Sequence, residues 1–439
     1  MSKQLRVHPN GRYFIYEDGT PFFWLGDTAW ELFHRLNREE VDHYLTNRVA
    51  KGLTVFQAVV LAERQGLDDP NPYGAIPLID RDPTQPNPAY FAHVDYIVNR
   101  AADLGLSVGM LPTWGFYWKQ TRDPIFTPEN AYSFGQFLGE RYRDAPLVWI
   151  LGGDANIDTA DERAIIDNMA LGLREGDGGN HLMTYHPLGP GLSSTQLANA
   201  EWIDFHMSQS SHGAPDHDNG LYIEHDYALE PIKPTLDGEP RYESIPVGFY
   251  YRNADPYRRF DDYDVRQAAY WALLAGACGH TYGNNQIWQM WAPGRDAVIH
   301  ADIPWWEALD HPGAMQMRWV RRLFASRPFT QLRPTQSYIV DGPHSGGGKI
   351  RAAMAEDASF AFIYSPRGKN FTLDNTRLPY RRVKQIWYDP RYGVAYPTLI
   401  GTGRGMQTYA PPTSGRGQDW ILIVEDADRG FPLPDHTIV

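Results

Sequence analysis

Several things that would each define a function are scarce in this sequence. Cys278 is the single cysteine among 439 residues. That excludes an intramolecular disulfide and any cysteine-based zinc site, and its small, apolar neighbours suggest a buried spacer. No apolar run is long enough to span a bilayer. The start, Met1-Ser2-Lys3-Gln4-Leu5-Arg6, lacks both a signal-peptide core and a lipidation signal, so a cytoplasmic protein is expected. Positive charge is also short. Lys and Arg number 40 against 53 Asp and Glu, a formal net charge of −13. Such a chain repels a phosphate backbone or an anionic lipid surface, so neither nucleic acid nor a membrane is expected as a partner. No glycine-rich phosphate loop follows the first predicted strand, and no Gly-x-Ser-x-Gly elbow occurs. Histidines fall in no His-x-His or His-Glu-x-x-His spacing. No cofactor and no metal are therefore expected.

Aromatic residues, in contrast, are plentiful, with 14 Trp and 26 Tyr. They suit a large core equally well as a cleft whose flat rings pack on sugar C–H faces. From about residue 21 to residue 327, short apolar segments alternate with helical ones. The hydrophobic pattern predicts eight strand-plus-helix units, as a (β/α)8 TIM barrel requires. The segment 63–88 is rich in Pro, Asp and Asn and reads as a long loop; 305–326 reads as one long final helix. From residue 328 onward the pattern changes to closely spaced short strands, five of which are recognisable, so a C-terminal β-sandwich is expected. The expected domains are thus 1–327 and 328–439.

Barrel active sites lie at the C-terminal ends of the strands. The polar and aromatic residues predicted there are Asp27, Trp30, Gln57, Trp114, Asp154, Asn156, His186, Gln209, Glu239 and Tyr282. Glycines single out two carboxylates: Asp154 in Leu151-Gly152-Gly153-Asp154-Ala155-Asn156, and Glu239 in Leu236-Asp237-Gly238-Glu239-Pro240. They follow predicted strands four and seven, which face each other across a barrel mouth. A carboxylate pair suits glycoside hydrolysis, in which one group stays protonated to serve the leaving oxygen and the other is ionised. The bland alternatives are that Asp154 caps the next helix and that Glu239 pairs with Arg241. His186 either donates to a substrate hydroxyl or orients a carboxylate, and His280 fits a buried core position equally well. Trp30 and Trp114 are candidate sugar platforms; Asp27, Gln57, Asn156, Gln209 and Tyr282 are candidate substrate contacts.

Asn10-Gly11-Arg12-Tyr13-Phe14 and the block Gly19-Thr20-Pro21-Phe22-Phe23-Trp24-Leu25-Gly26-Asp27-Thr28-Ala29-Trp30 resemble the opening of the apiosidase-like glycoside hydrolases. Trp149–Asn156, His206-Met207-Ser208-Gln209-Ser210 and Asp237-Gly238-Glu239-Pro240 resemble later blocks of that family. The last domain, with Trp387-Tyr388-Asp389-Pro390-Arg391, is similar to the family's C-terminal sandwich of the collagen-binding type. The resemblance implies a retaining pair, with Asp154 as acid/base and Glu239 as nucleophile. It also implies exo-action on a small carbohydrate or glycoside, with apiose or another pentose as the terminal sugar. An endo-acting, glucanase-like enzyme and a non-catalytic carbohydrate-binding barrel are the rival readings. The sandwich is expected to be structural.

Overall fold

Eight short, fully buried segments form the centre of the protein. The computed structural model describes residues 4–402 and 404–436. The eight strands are β1 (Trp24–Thr28), β2 (Val55–Leu61), β3 (Ser107–Thr113), β4 (Leu147–Gly152), β5 (Met183–His186), β6 (His206–Gln209), β7 (Thr235–Asp237) and β8 (Gly279–Tyr282). β2, β3 and β4 are buried at every position, as strands covered on both faces must be. Parallel ladders run in the order β5-β4-β3-β2-β1-β8-β7-β6. A short strand, Gly191–Leu192, adds antiparallel to β6.

Individual bonds, many from side chains, bridge the remaining seam between β5 and β6. The Asp204 N–H donates to the Met183 carbonyl at 2.9 Å, and Thr184 Oγ1 donates to the Phe205 carbonyl at 2.7 Å. The sheet therefore curls into the (β/α)8 architecture that the sequence predicts. At the N-terminal end of the strands, an antiparallel meander (Leu5–Val7, Phe14–Tyr16, Pro21–Phe22) covers the opening. Phe14 packs edge-on to Phe205 there, with ring centroids 5.0 Å apart.

The helices around the barrel have local reasons for their bounds. α1 (Arg38–Ala50) opens on a reciprocal capping box between Asn37 and Glu40. α2 (Pro88–Asp103) and α3 (Pro128–Tyr142) begin with proline in the first turn, where its missing N–H costs nothing. α4 (Ala160–Asp177) is capped by Thr159. α5 (Gly220–Tyr227) and α6 (Asp262–Leu274) follow β6 and β7. The long final helix expected over 305–326 is in fact two. Trp305–Ala308 is a single turn, and α7 (Pro312–Ala325) restarts after it, because Pro312 cannot donate into a continuing helix.

The described residues of the C-terminal part hold nine strands: β9 (Leu332–Pro334), β10 (Ile339–Asp341), β11 (Arg351–Ala355), β12 (Phe360–Ser365), β13 (Phe371–Asp374), β14 (Val383–Asp389), β15 (Val394–Gly401), β16 (Met406–Tyr409) and β17 (Trp420–Asp426). They form a six-stranded antiparallel sheet, β9-β11-β12-β17-β14-β15, and a three-stranded one, β10-β13-β16. One continuous apolar core joins the sandwich to the barrel, with Phe324 of α7 packed on Phe362 and Tyr270 of α6 on Tyr364. Buried ion pairs reinforce the seam: Arg266 of α6 with Asp419 at 2.6 Å, and Arg327 with Glu425 at 2.5 Å.

Candidate active site

The chain leaves β4 through Gly152-Gly153-Asp154, and all three residues are left-handed, with φ of 94°, 88° and 52°. Glycine is required at the first two. A Cβ on Gly152 would lie 2.4 Å from the His186 carbonyl oxygen, and one on Gly153 would lie 2.9 Å from the Trp114 Cα. This turn brings Asp154 into the barrel mouth instead of onto the next helix, whose cap is Thr159. On the far side, the Gly238 N–H donates to the Ser208 carbonyl at 2.8 Å, which fixes the bend that presents Glu239. Arg241 turns away from Glu239 and donates to the His217 carbonyl at 2.8 Å.

Between the two carboxylates stands His186, fully buried. Its Nδ1 accepts the Asp154 N–H at 3.1 Å, so the ring proton resides on Nε2. That atom lies 3.0 Å from Glu239 Oε2. A second imidazole, His212, brings its Nε2 to 3.1 Å from Glu239 Oε1. Of its two sequence readings, His186 follows the one in which it orients a carboxylate. The two carboxylates are driven apart electrostatically. Burial would raise Glu239, but the contacts from His186 and His212 hold it down at about 2. Burial and the Glu239 charge raise Asp154 to about 7, against the opposing effect of His186 and a hydrogen bond from Gln209. Glu239 is thus ionised near neutrality while Asp154 still keeps a share of its proton, the division of labour that a two-carboxylate site needs.

Two joined compartments open at this point. The inner one, about 360 Å³, is bounded by Asp154, Glu239, Trp30, Tyr242, Phe249 and Trp288, among others. The outer one, about 620 Å³, contains Asp154, Asn156, Arg64, Lys119 and Arg122 but not Glu239. Glu63, Trp114, Asp154 and Leu188 belong to both. Trp30, Trp114 and His186 pack against one another with centroid distances of 5.2–5.8 Å. Gln209 lines the inner compartment. Asn156 lines the outer one, where its Oδ1 accepts the Leu188 N–H at 3.3 Å.

Three of the residues expected to touch substrate lie elsewhere. Asp27 is inside β1 and not after it, in register with Tyr282 of β8. Side chains alternate along a strand, so both of these face outward toward the helices. Asp27 pairs there with Arg48 at 2.6 Å and accepts from the Tyr44 hydroxyl at 2.8 Å; Tyr282 donates to Glu243 at 2.6 Å. Gln57 does point into the barrel, but beneath the pocket, where it donates to the Gly238 carbonyl at 3.0 Å and props the Glu239 turn. His280 is a core residue, its imidazole pushed down to about 3 by burial. Cys278 is buried.

Asp27→Ala should lower stability by about 3–5 kcal/mol, the cost of stranding a buried Arg48 charge. KM should stay unchanged in the folded fraction. Urea unfolding together with steady-state kinetics checks both, and a raised KM at full stability would return Asp27 to the binding site.

The main residues that sequence reasoning leaves unassigned are Glu63, His212 and Tyr242. Glu63 is two residues past β2, a third carboxylate shared by both compartments; burial raises its pKa, and Glu31 and Glu239 add to the effect. Tyr242 packs on His212 with centroids 4.6 Å apart.

The model for "Apiosidase-like, catalytic domain" matches residues 8–331. The model described as "Putative collagen-binding domain of a collagenase" matches residues 333–425. A solved glycoside hydrolase is 32% identical over 97% of this chain and 98% of its own, with a TM-score of 0.89. A glycoside hydrolase family 5 structure from Bacteroides vulgatus is 32% identical over 99% and 95%, with a TM-score of 0.91. A family 30 subfamily 8 xylanase from Clostridium acetobutylicum, at 11% identity over 92% and 96% with a TM-score of 0.51, shares the fold. No curated protein matches the chain. The barrel, its carboxylate-bearing cleft and these relatives define the protein as a glycoside hydrolase. Within that class, the chain belongs to the apiosidase-like family.

Proposed function

We propose that the protein is a retaining, exo-acting glycosidase that removes one terminal sugar from a small glycoside or oligosaccharide. In this reading Asp154 is the acid/base and Glu239 the nucleophile. The observation that carries it is the position of Asp154 at the junction of the two compartments, with Glu239 in the inner one alone. A general acid must meet the glycosidic oxygen, which is the boundary between sugar and leaving group. The inner compartment then holds the sugar and the outer one the aglycone. Glu239 is ionised and faces the position of the anomeric carbon. The Glu239 charge raises Asp154, so the two carboxylates are near neighbours, as a pair that acts on one bond requires.

The walls of the inner compartment support exo-action. Tyr242, Ile245, Phe249 and Trp288 line it with apolar and ring surface, and its volume of about 360 Å³ suits a short ligand such as a terminal apiose or another pentose better than a long chain. In the outer compartment, Arg64 and Arg122 have no carboxylate ion pair among the described residues and can meet an aglycone that carries an acid group.

A panel of nitrophenyl pentosides and hexosides tests the reading, together with short oligosaccharides ending in a uronic acid. A single terminal sugar should be released from at least one pentoside. Cleavage inside an oligosaccharide chain, with no terminal release, would favour the endo-acting alternative. Sugar binding without turnover on any substrate would favour a non-catalytic barrel.

A further inference from the structure

His212 reaches Glu239 from the loop between β6 and α5, residues 210–219. Both ends of that loop are tied within the barrel to one buried carboxylate, Asp237. Ser210 Oγ donates to it at 2.6 Å and Asn219 Nδ2 at 2.9 Å. The carbonyl of His212 accepts from the Gly248 N–H at 2.7 Å. The ring of His212 faces Glu239, Tyr242 and Phe249.

The distal half of the loop is held by the other domain. Asp216 pairs with Arg367 at 2.5 Å. Asp218 receives Lys349 at 2.7 Å and Arg351 Nη2 on both its oxygens, at 2.8 and 2.9 Å, while Arg351 Nη1 bonds Glu224 of α5. Arg351 is buried and sits on the sandwich strand β11. The loop and the sandwich also meet without room to spare: a Cβ on Gly347 would fall 2.2 Å from the Asp216 carboxyl carbon, and one on Gly220 would fall 2.5 Å from the Arg351 guanidinium carbon. Within the loop, Ser211 and Asp216 are non-glycine residues at φ 68° and 58°. Such left-handed positions persist only where surrounding contacts over-determine the backbone. At Asp216 those contacts come largely from the sandwich.

We propose that the C-terminal sandwich is a positioning element of the active site, in which Arg367 and Arg351, acting through Asp216 and Asp218, fix the loop that places His212 against Glu239. The proposal rests on the glycosidase reading for its effect on turnover, but not for its effect on the loop. It differs from a merely structural sandwich, which would stabilise the barrel without reaching Glu239.

The test uses the full chain with Arg367→Ala, Arg351→Ala, Asp216→Asn and the conservative Arg367→Lys. Arg382→Ala, which breaks an ion pair with Asp428 on the sandwich surface, is the control. Hydrogen exchange followed by mass spectrometry reads residues 210–219 directly, with no need for turnover. In the first three variants exchange in this segment should rise, with the rest of the barrel unchanged. In the pH profile of kcat/KM, a loss of about tenfold or more is expected. The acid limb should also move to higher pH, because Glu239 loses the contact from His212 while keeping that from His186. Arg367→Lys should recover part of both effects, and the control should show neither.

A lower melting temperature with unchanged loop exchange and an unmoved acid limb would overturn the proposal. If Arg351→Ala does not fold, Arg367→Ala and Asp216→Asn decide the matter, since both sites are partly solvent-exposed. A wild-type protein without glycosidase activity would sink the functional reading, whereas the exchange data would still decide the coupling.

Discussion

Glu239→Ala should reduce turnover by about 10⁴-fold or more, the scale on which a residue that acts directly on the reacting atoms is lost. The variant should still fold. The side chain is buried, but its loss leaves only a small cavity beside His186 and His212. Azide should then restore turnover on an activated aryl glycoside. It fits the space left by the carboxylate and attacks the anomeric carbon from the same face, giving a glycosyl azide of inverted configuration. Rescue with inversion places Glu239 on the face opposite the leaving group, where a nucleophile and a general base both stand; an azide of retained configuration would instead mark it as the acid/base. The position of Glu239 in the inner compartment alone, held ionised by His186 and His212, is the reason for expecting inversion.

Asp154→Asn should have an effect that depends on the substrate. With a poor leaving group, kcat/KM should drop by about 10²–10⁴-fold, the usual worth of a positioned proton donor. With a nitrophenyl leaving group, which departs without protonation, the first step should be nearly unaffected. The pH profile should change in parallel. In the wild type, activity requires Glu239 ionised and Asp154 protonated. It should fall on the acid side toward the Glu239 value of about 2 and on the alkaline side above the Asp154 value of about 7. On a substrate that needs the proton, Asp154→Asn should remove the alkaline limb from the residual activity and leave the acid limb in place. Equal losses on both substrates, or an alkaline limb that survives the substitution, would take the acid role away from Asp154. Glu63, which shares both compartments, would then be the next candidate.

Asp154 and Glu239 are legible from sequence because local rules and global fold agree at both. Each sits one turn past a short apolar strand, and each follows glycine where the backbone must bend sharply. Asp27 and Tyr282 mislead for a reason that is also local. The first strand reads as ending at Gly26, but it continues to Thr28. Because the side-chain period of a strand is two residues, a small error in where it ends reassigns a residue from the pocket to the helix-facing side. Tyr282 follows Asp27, since the two are paired in register.

His212 and Glu63 lie beyond strand ends, in loops where no periodicity reports which way a side chain points. Neither could be singled out before the β6–α5 loop and the end of β2 were placed in space. The nearest available signal was proximity in sequence: Glu63 follows a strong strand by two residues, and His212 lies three residues past Gln209. In the sandwich, β9, β13, β15 and β16 went unrecognised. β13 and β16 belong to the small three-stranded sheet and β9 and β15 to the two edges of the large one, so their alternation reflects partial burial only. The role of the sandwich was hidden for a different reason. Asp216–Arg367 and Asp218–Arg351 join residues more than 130 positions apart, and only the docked domains reveal them.

The central claim is that Glu239 attacks the anomeric carbon while Asp154 serves the glycosidic oxygen. The most direct measurement is proton NMR of the first-formed sugar, recorded before mutarotation, from a substrate of known anomeric configuration. Two successive displacements at one carbon predict that the released sugar keeps the configuration of the substrate. Release of the opposite anomer would contradict the account and make Glu239 a general base that activates water.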